Sequence, residues 1–211
     1  MDFVQGELLW SLNKNVAQIM AELSLELHKI DPKPLRQKLL SAGIVEKHFT
    51  GLTERERYIY DEEISWLMPG LEWIHDNKPE PNYAIVHGDL HGKNIMMDNG
   101  RVSGVIDWAG LIEDNLRDVG STMILYTVMA PSVSPNRRDE FRVIADEFLE
   151  TYSSVCSVDP WKLEYFEAVR CFSLFVDYEY GFELVLTSGM HRVGGKRFKE
   201  ITGINDLKEP W

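Results

Sequence analysis

Apolar residues recur at three- and four-residue steps along most of the chain, the spacing of one buried helix face. The longest such run extends from Leu8 to Leu27, and the prolines that follow Asp31 predict its end. A proline and a glycine at 69–70 predict a kink or a break in the next helical stretch. The further predicted helices cover residues 35–41, 58–76, 116–129, 137–154, 160–186 and 190–201. The pattern therefore predicts a mainly helical protein.

Residues 83–107 depart from the helical period. They contain three short apolar pieces, YAIV, NIMM and VSGVI, whose lengths suit β-strands rather than helices. The tripeptide Asp-Asn-Gly at 98–100 separates the last two pieces and is a strong hairpin turn signal. The predicted fold class is therefore mainly α, with one small β-hairpin embedded in it.

Composition narrows the range of partners. The 211 residues carry 34 acidic and 22 basic side chains, a net charge of −12. Nucleic acids and anionic membranes attract clustered Lys and Arg, so neither is expected as a partner. The N-terminus lacks the basic region of a secretion signal, no window is apolar enough to span a membrane, and the sequence predicts a cytoplasmic location. Cys156 and Cys171 lie far apart and are interpreted as free thiols.

The stretch IVHGDLHGKN (85–94) carries the candidate chemistry. Asn94 follows Asp89 within one short loop, and the hairpin brings Asp107 back beside Asn94 because its strands run antiparallel. Phosphoryl transfer needs a carboxylate that orients the attacking hydroxyl, together with hard oxygen ligands for magnesium. Two carboxylates and an amide gathered in this way suit that reaction.

The segment HGDLHGKNIMMDNGRVSGVIDWAG (87–110) resembles the catalytic and metal-binding segments of the aminoglycoside phosphotransferase and choline kinase-like family, distant relatives of protein kinases. Members typically show His-Gly-Asp-Leu-His-x-x-Asn, then a hairpin and Ile-Asp-Trp. The resemblance extends forward to Asp118 and back to the helix ending LELHKID (25–31). It implies the helical C-terminal lobe of a protein-kinase-like fold.

The resemblance also implies roles for individual residues. Asp89 would position and deprotonate the substrate hydroxyl, and Asn94 and Asp107 would hold Mg²⁺. His87 and Asp118 would support the loop without touching the reacting atoms.

Further implied roles concern the nucleotide and two neighbouring side chains. Met96 and Ile106 would lie under the adenine or guanine ring of ATP or GTP. For Lys93, solvation and a phosphate contact both stay open. For His91, a second metal contact and a loop hydrogen bond both stay open.

The opening segment MDFVQGELL (1–9) resembles the family's hinge, which offers backbone groups to the nucleotide base, so Phe3 and Val4 are expected there. In relatives, a lobe with a glycine-rich phosphate loop, a strand lysine and a helix glutamate precedes this hinge. The glycines before His87 are too scattered for such a loop: Gly6, Gly43, Gly51 and Gly70. The expectation is a single C-terminal lobe over 1–211, with a hinge remnant at 1–9, the catalytic loop and metal-binding hairpin at 83–110, and no N-terminal nucleotide lobe.

Three explanations for this stay open: a fragment, a natural single-lobe protein, or one partner of a complex. In each case an apolar patch near Phe3, Val4, Met96 and Ile106 should be exposed. That patch would favour self-association or binding of a separate N-lobe.

The substrate is expected to be a small hydroxylated molecule, and a cationic one is a natural candidate. The segment DYEYGFE (177–183) places Asp177 near Tyr180 and Tyr178, which would line a cationic pocket through charge and cation–π contacts. An ordinary helix with a solvated acidic face is the alternative.

The sequence thus predicts transfer of the γ-phosphate of a magnesium nucleotide to a substrate hydroxyl, with little or no activity in the absence of the N-lobe. One alternative is a non-catalytic binding or regulatory protein. Another is a metal-dependent hydrolase that uses Asp89 and Asp107 as ligands.

Overall fold

The computed structural model describes residues 4–12, 15–44, 52–110 and 112–204. It confirms the predicted fold class, because helices make up most of the described chain and the strands are short. The α-helices are α1 Leu9–Leu12, α2 Val16–His28, α3 Lys33–Ser41, α4 Leu52–Asp61, α5 Met68–Asp76, α6 Leu116–Ile124, α7 Ala130–Val133, α8 Arg138–Ser153, α9 Pro160–Glu179, α10 Glu183–Ser188 and α11 Met190–Thr202. A π-helical turn, Leu125–Met129, continues α6, and two 3₁₀ turns lie at Ser65–Leu67 and Pro135–Arg137. No described helix has the length and apolar character needed to cross a bilayer.

Two small antiparallel sheets carry the strands. Strand β1 (Glu7–Leu8) pairs with β3 (Ile95–Asp98), which also pairs with β4 (Arg101–Val105). The predicted hairpin is therefore present, and Glu7–Leu8, from the segment that was predicted to be a hinge, pair along its β3 edge. Strand β2 (Tyr83–Ile85) pairs with β5 (Ile112–Asp114). The second sheet thus brings together the two ends of the segment between Ile85 and Ile112, which bears the candidate site.

The core is centred on α9, which packs mainly on α6 and α11. Phe172 and Phe175 of α9 are fully buried against Phe198 of α11, with ring centroids about 6 Å apart. Truncating one such ring to alanine typically costs about 3–5 kcal/mol. This aromatic contact is therefore a main source of stability in the helical layer.

A glycine brings α6 close to α9. A Cβ atom on Gly120 would lie 2.8 Å from the Cβ atom of Phe166, so a larger residue would push the helices apart. Because Asp118 lies on α6 and Arg170 on α9, this contact sets the distance between two elements that border the candidate site.

Three predicted helices differ from those observed. The single run over 8–27 is divided into β1, α1 and α2, and Asn15, in the left-handed region at φ 49°, precedes α2. The stretch 58–76 is two helices, and Pro69 lies in the first turn of α5, where proline is tolerated, rather than inside a helix. The run over 160–186 ends at Glu179, before Gly181 at φ 77°.

Candidate active site

A short loop between β2 and β3, residues 86–94, carries the candidate chemistry and is called the HGD loop below. Its first residues are held by Asp118 in the first turn of α6. The two carboxylate oxygens of Asp118 accept from His87 N at 2.9 Å and from Gly88 N at 2.7 Å. Asp118 is fully buried, so these hydrogen bonds are shielded from water. The start of the HGD loop is therefore attached to α6.

The ring of His87 connects the HGD loop to the segment after β4. Its Nε2 atom is 2.9 Å from the carbonyl oxygen of Ile106, and Asp89 N donates to Nδ1 at 3.2 Å. Because Nδ1 accepts a hydrogen bond, the ring proton resides on Nε2, which donates to Ile106. The carbonyl oxygen of His87 also accepts from Ala109 N at 3.0 Å and Gly110 N at 2.6 Å. The loops that carry Asp89 and Asp107 are thereby joined.

Asp89 is partly exposed and has two nearby partners. Its Oδ1 atom accepts from Arg170 Nη2 at 3.2 Å, and its Oδ2 atom lies 3.5 Å from His91 Nε2. Burial acts to raise the pKa of Asp89, but the hydrogen bond from His91 and the charge of Arg170 outweigh it. The pKa of Asp89 therefore lies below its ordinary value, and the carboxylate is ionised at neutral pH.

Asn94 is buried and is held by three hydrogen bonds. Its Nδ2 atom donates to the carbonyl oxygen of Asp89 at 2.9 Å, and its backbone N–H donates to the carbonyl oxygen of His91 at 2.8 Å. Its own carbonyl oxygen accepts from Ile106 N at 2.9 Å. With the amide nitrogen used in this way, the side-chain oxygen Oδ1 is the atom that can bind a cation.

Asp107 follows Ile106 directly, and its backbone adopts the left-handed region at φ 60°. Such a conformation costs on the order of 1–3 kcal/mol for a residue other than glycine and is concentrated at functional sites. The side chain of Asp107 is exposed. The backbone is therefore strained at Asp107, and the exposed carboxylate lies just after the hairpin that Asn94 directly precedes.

The donor set suits a hard cation whose shell is completed from elsewhere. Asn94 and Asp107 offer oxygen ligands, which Mg²⁺ prefers, and nucleotide phosphates supply further oxygens to such an ion. Within residues 4–12, 15–44, 52–110 and 112–204, no group of three or more His, Cys, Asp or Glu side chains could hold a metal. The side-chain oxygens of Asn94 and Asp107 are therefore of the kind that suits a hard cation such as Mg²⁺.

The predicted nucleotide residues lie on the three-stranded sheet. Met96 pairs with Leu8 on one side and with Gly104 on the other. Val4 packs over Gly104, since a Cβ atom there would lie 2.6 Å from Val4 Cγ1. Met96 and Ile106 are partly exposed, and Phe3 falls outside the described residues. Val4 and Met96 are therefore brought to one region of the sheet.

The predicted substrate residues are already engaged with other side chains. Asp177 Oδ1 accepts from Arg55 Nη2 at 2.8 Å. Tyr180 stacks on Tyr58 at a centroid distance of 3.9 Å. The neighbouring acid, Glu179, accepts from the indole N–H of Trp66 at 2.7 Å. A cationic ligand would therefore compete with Arg55 for Asp177.

Two residues near the site were not predicted from the sequence. Arg170 reaches Asp89 from the middle of α9, and a single arginine within a long helical pattern carries no signal for such a contact. His28, at the end of α2, places Nε2 3.3 Å from Asp118 Oδ2 and Nδ1 2.8 Å from the Tyr152 hydroxyl. The motif LELHKID pointed to the helix of His28 but not to this contact.

Comparison with known proteins agrees with this arrangement. The model of the phosphotransferase enzyme family matches residues 1–127, which include the HGD loop, the hairpin and Asp118. Because the match covers more than half of the chain, the protein belongs to that family. A search of curated proteins finds no matching relative.

A solved structure is also similar to this chain. It is the AMP-bound complex of spectinomycin phosphotransferase, at 18% sequence identity and a TM-score of 0.44. The similarity covers 97% of this chain and 68% of that protein.

Proposed function

We propose that this chain is the C-terminal lobe of a small-molecule phosphotransferase that transfers the γ-phosphate of a magnesium nucleotide to a substrate hydroxyl. The observation that carries the proposal is the convergence of Asp89, Asn94 and Asp107. The first two lie on one braced loop, and the third is joined to it through His87 and Ile106. Membership of the phosphotransferase enzyme family supports the same chemistry.

Asp89 acts as the residue that receives the substrate hydroxyl. Because its pKa is depressed, it is ionised and can accept the hydroxyl hydrogen bond without first losing a proton. As the hydroxyl oxygen bonds to the γ-phosphorus, the bond to the nucleotide diphosphate breaks and the hydroxyl proton passes to Asp89. Orientation of the hydroxyl is its main contribution, since positioning dominates this chemistry.

Asn94 Oδ1 and the Asp107 carboxylate would hold the magnesium ion. The ion would supply positive charge that offsets the negative charge of the nucleotide phosphates. Val4, Met96 and Ile106, with Phe3 beyond the described residues, form the apolar surface for the base of ATP or GTP. A surface of this kind leaves room for a partner lobe to cover the nucleotide, or for a second copy of the chain to bind.

The phosphate-covering elements are proposed to come from outside these 211 residues. Gly6, Gly43, Gly51 and Gly70 are too widely separated to form a glycine-rich loop. Without such a loop and its lysine, the phosphates lose donors on one side. The chain alone should therefore bind nucleotides weakly and transfer phosphate very slowly.

Magnesium-dependent nucleotide binding tests the proposal directly. We expect the chain to bind ATP or GTP with a Kd of about 1 mM, equivalent to about −4 kcal/mol. Mg²⁺ should strengthen this binding in the parent and not in Asp107→Asn, where asparagine tolerates the left-handed backbone but removes the charge. Isothermal titration with and without Mg²⁺ provides the measurement.

Asp98→Asn, at the hairpin turn, is the matched control and should retain the magnesium effect. An equal magnesium effect in parent and Asp107→Asn would exclude Asp107 as a ligand. If neither ATP nor GTP binds at about 10 mM, roughly ten times the expected Kd, the proposed nucleotide site is contradicted.

A further inference from the structure

Arg170 reaches Asp89 from a helix, α9, that carries neither of the proposed metal ligands. It lies on α9, which packs mainly on the helices α6 and α11, whereas Asn94 directly precedes the hairpin and Asp107 follows it. Its side chain is 12% exposed and that of Asp89 is 28% exposed, and their atoms are 3.2 Å apart. A molecule that reaches Asp89 from the helical side therefore meets the guanidinium group as well.

The hydrogen bonds of Arg170 are incomplete. Arginine has five N–H donors and no acceptor. The described contacts use Nη2 on Asp89, while the Nε atom is buried without a partner. Leaving a buried donor unsatisfied is costly, and a carboxylate binds a guanidinium through two parallel hydrogen bonds. Arg170 therefore has a buried donor that no residue of the described chain satisfies, in addition to the one that binds Asp89.

Two more arginines surround Arg170 and share this feature. Burial lowers the pKa of Arg170, Asp89 opposes that effect, and the charges of Arg117 and Arg55 add to it. Arg117 is more than nine-tenths buried, and its Nη1 atom has no partner. Arg55 is 27% exposed, but its Nε atom is also buried without a partner. Three guanidinium groups, each paired with one acid, are therefore close together on the helical side, and each has a buried nitrogen without a hydrogen-bond partner.

Three acids on this side already have partners. Asp177 pairs with Arg55 and Glu179 accepts from Trp66, as described above. Glu113 is paired with Arg117 at 3.5 Å, and burial raises its pKa. An ammonium group bound here would lie near Arg170 and would find its potential carboxylate partners occupied.

We propose that the acceptor is a hydroxylated molecule with a carboxylate near the hydroxyl that receives phosphate, and that Arg170 binds this carboxylate. The inference rests on the proposed function, because Asp89 defines which hydroxyl is the acceptor. It replaces the expectation of a cationic substrate with an anionic one.

Matched pairs of small molecules test the inference without turnover. Glycerate against glycerol and gluconate against sorbitol differ in one carboxylate, and choline supplies a cationic alcohol. Affinities for the 211-residue chain are measured by ligand-observed NMR at constant ionic strength. Each carboxylate should bind about tenfold or more tightly than its neutral partner, as expected for a charged hydrogen bond.

Three variants locate the effect. Arg170→Gln should remove the preference for the carboxylates, and Arg170→Lys should retain part of it because it keeps the charge but not the planar fork. Arg142→Gln, in an exposed ion pair on α8, should leave the preference unchanged. Melting curves identify any variant that fails to fold, in which case Arg170→Lys decides the outcome.

Other results would overturn the inference. These are equal affinity within each pair, tighter binding of choline, or a preference that survives Arg170→Gln. A loss of Mg-ATP affinity in Arg170→Gln, with acceptor binding unchanged, would assign Arg170 to the transferred phosphate instead. Carboxylate binding by a chain that does not bind nucleotide would leave the acceptor site standing and contradict the phosphotransferase function.

Discussion

Two backbone N–H groups of the HGD loop end on one buried carboxylate, that of Asp118. His28 lies beside the same carboxylate and contacts the Tyr152 hydroxyl, which also accepts from Asn115 at 2.8 Å. Buried polar networks of this kind stabilise a single arrangement when their members are satisfied. The position of Asp89 is therefore determined by residues from three helices as well as by its own loop.

Replacing Asp118 with alanine should lower the free energy of unfolding. The substitution leaves the N–H groups of His87 and Gly88 without acceptors, and each unsatisfied buried donor costs about 1–3 kcal/mol. Urea denaturation of parent and Asp118→Ala measures the difference. Glu150→Ala, on the exposed face of α8, should change stability by only a few tenths of a kcal/mol. A loss in Asp118→Ala no larger than in this control would exclude the supporting role of Asp118.

The residues of the candidate site were predictable where they are close in sequence. Asp89 and Asn94 share a loop, and one hairpin returns the chain to Asp107, so local geometry is enough to bring them together. Arg170 lies 81 residues beyond Asp89 and reaches it only through the packing of α9. Contacts of that kind depend on the tertiary fold and produce no characteristic residue spacing from which they could be predicted. The partners of Asp177 and Tyr180 were missed for the same reason.

At the scale of elements, the later helices and the hairpin strands were predicted well, whereas the breaks inside the runs 8–27 and 58–76 and the strands β1 and β5 were not. Helices α8, α9 and α11 begin and end within a few residues of the predicted positions, apart from the early end of α9. Strands β1 and β5 have two and three residues, too few for a period to be read. β1 is stabilised by pairing with β3, not by its own sequence.

A substitution at Gly104 in β4 tests whether the segment around Val4, the predicted hinge, contacts the nucleotide. A Cβ atom there would lie 2.6 Å from Val4 Cγ1, so Gly104→Ala should displace the segment before β1. Because that segment is proposed to contact the nucleotide base, affinity for ATP or GTP should fall roughly three- to tenfold, or ~0.7–1.4 kcal/mol. Nucleotide titration and melting temperature are measured together.

Val102→Ala, exposed on the same strand, is the control for Gly104→Ala and should leave nucleotide affinity unchanged. Unchanged affinity in Gly104→Ala would place the base elsewhere. A large fall in melting temperature would instead indicate a general loss of the sheet.

At the scale of the whole molecule, the proposed function assigns separate roles to the helical layer and the sheet. The buried aromatic contacts between α9 and α11 stabilise the layer. The small sheet carries the proposed nucleotide surface, and the HGD loop lies where sheet and helices meet. An active enzyme would then require a second lobe over the sheet, because phosphoryl transfer depends on donors around all of the phosphates.

Transfer of radiolabelled γ-phosphate to small alcohols, hydroxy acids and amino sugars tests the central claim, with and without the N-lobe of a relative supplied in trans. A missing charge contact on the transferred phosphate can cost about a thousandfold or more in rate. The chain alone should therefore give little or no product. The added lobe should raise product formation, and Asp89→Asn should abolish it. Robust transfer by the chain alone would contradict the account of the second lobe, and transfer that persists in Asp89→Asn would contradict the proposed active site.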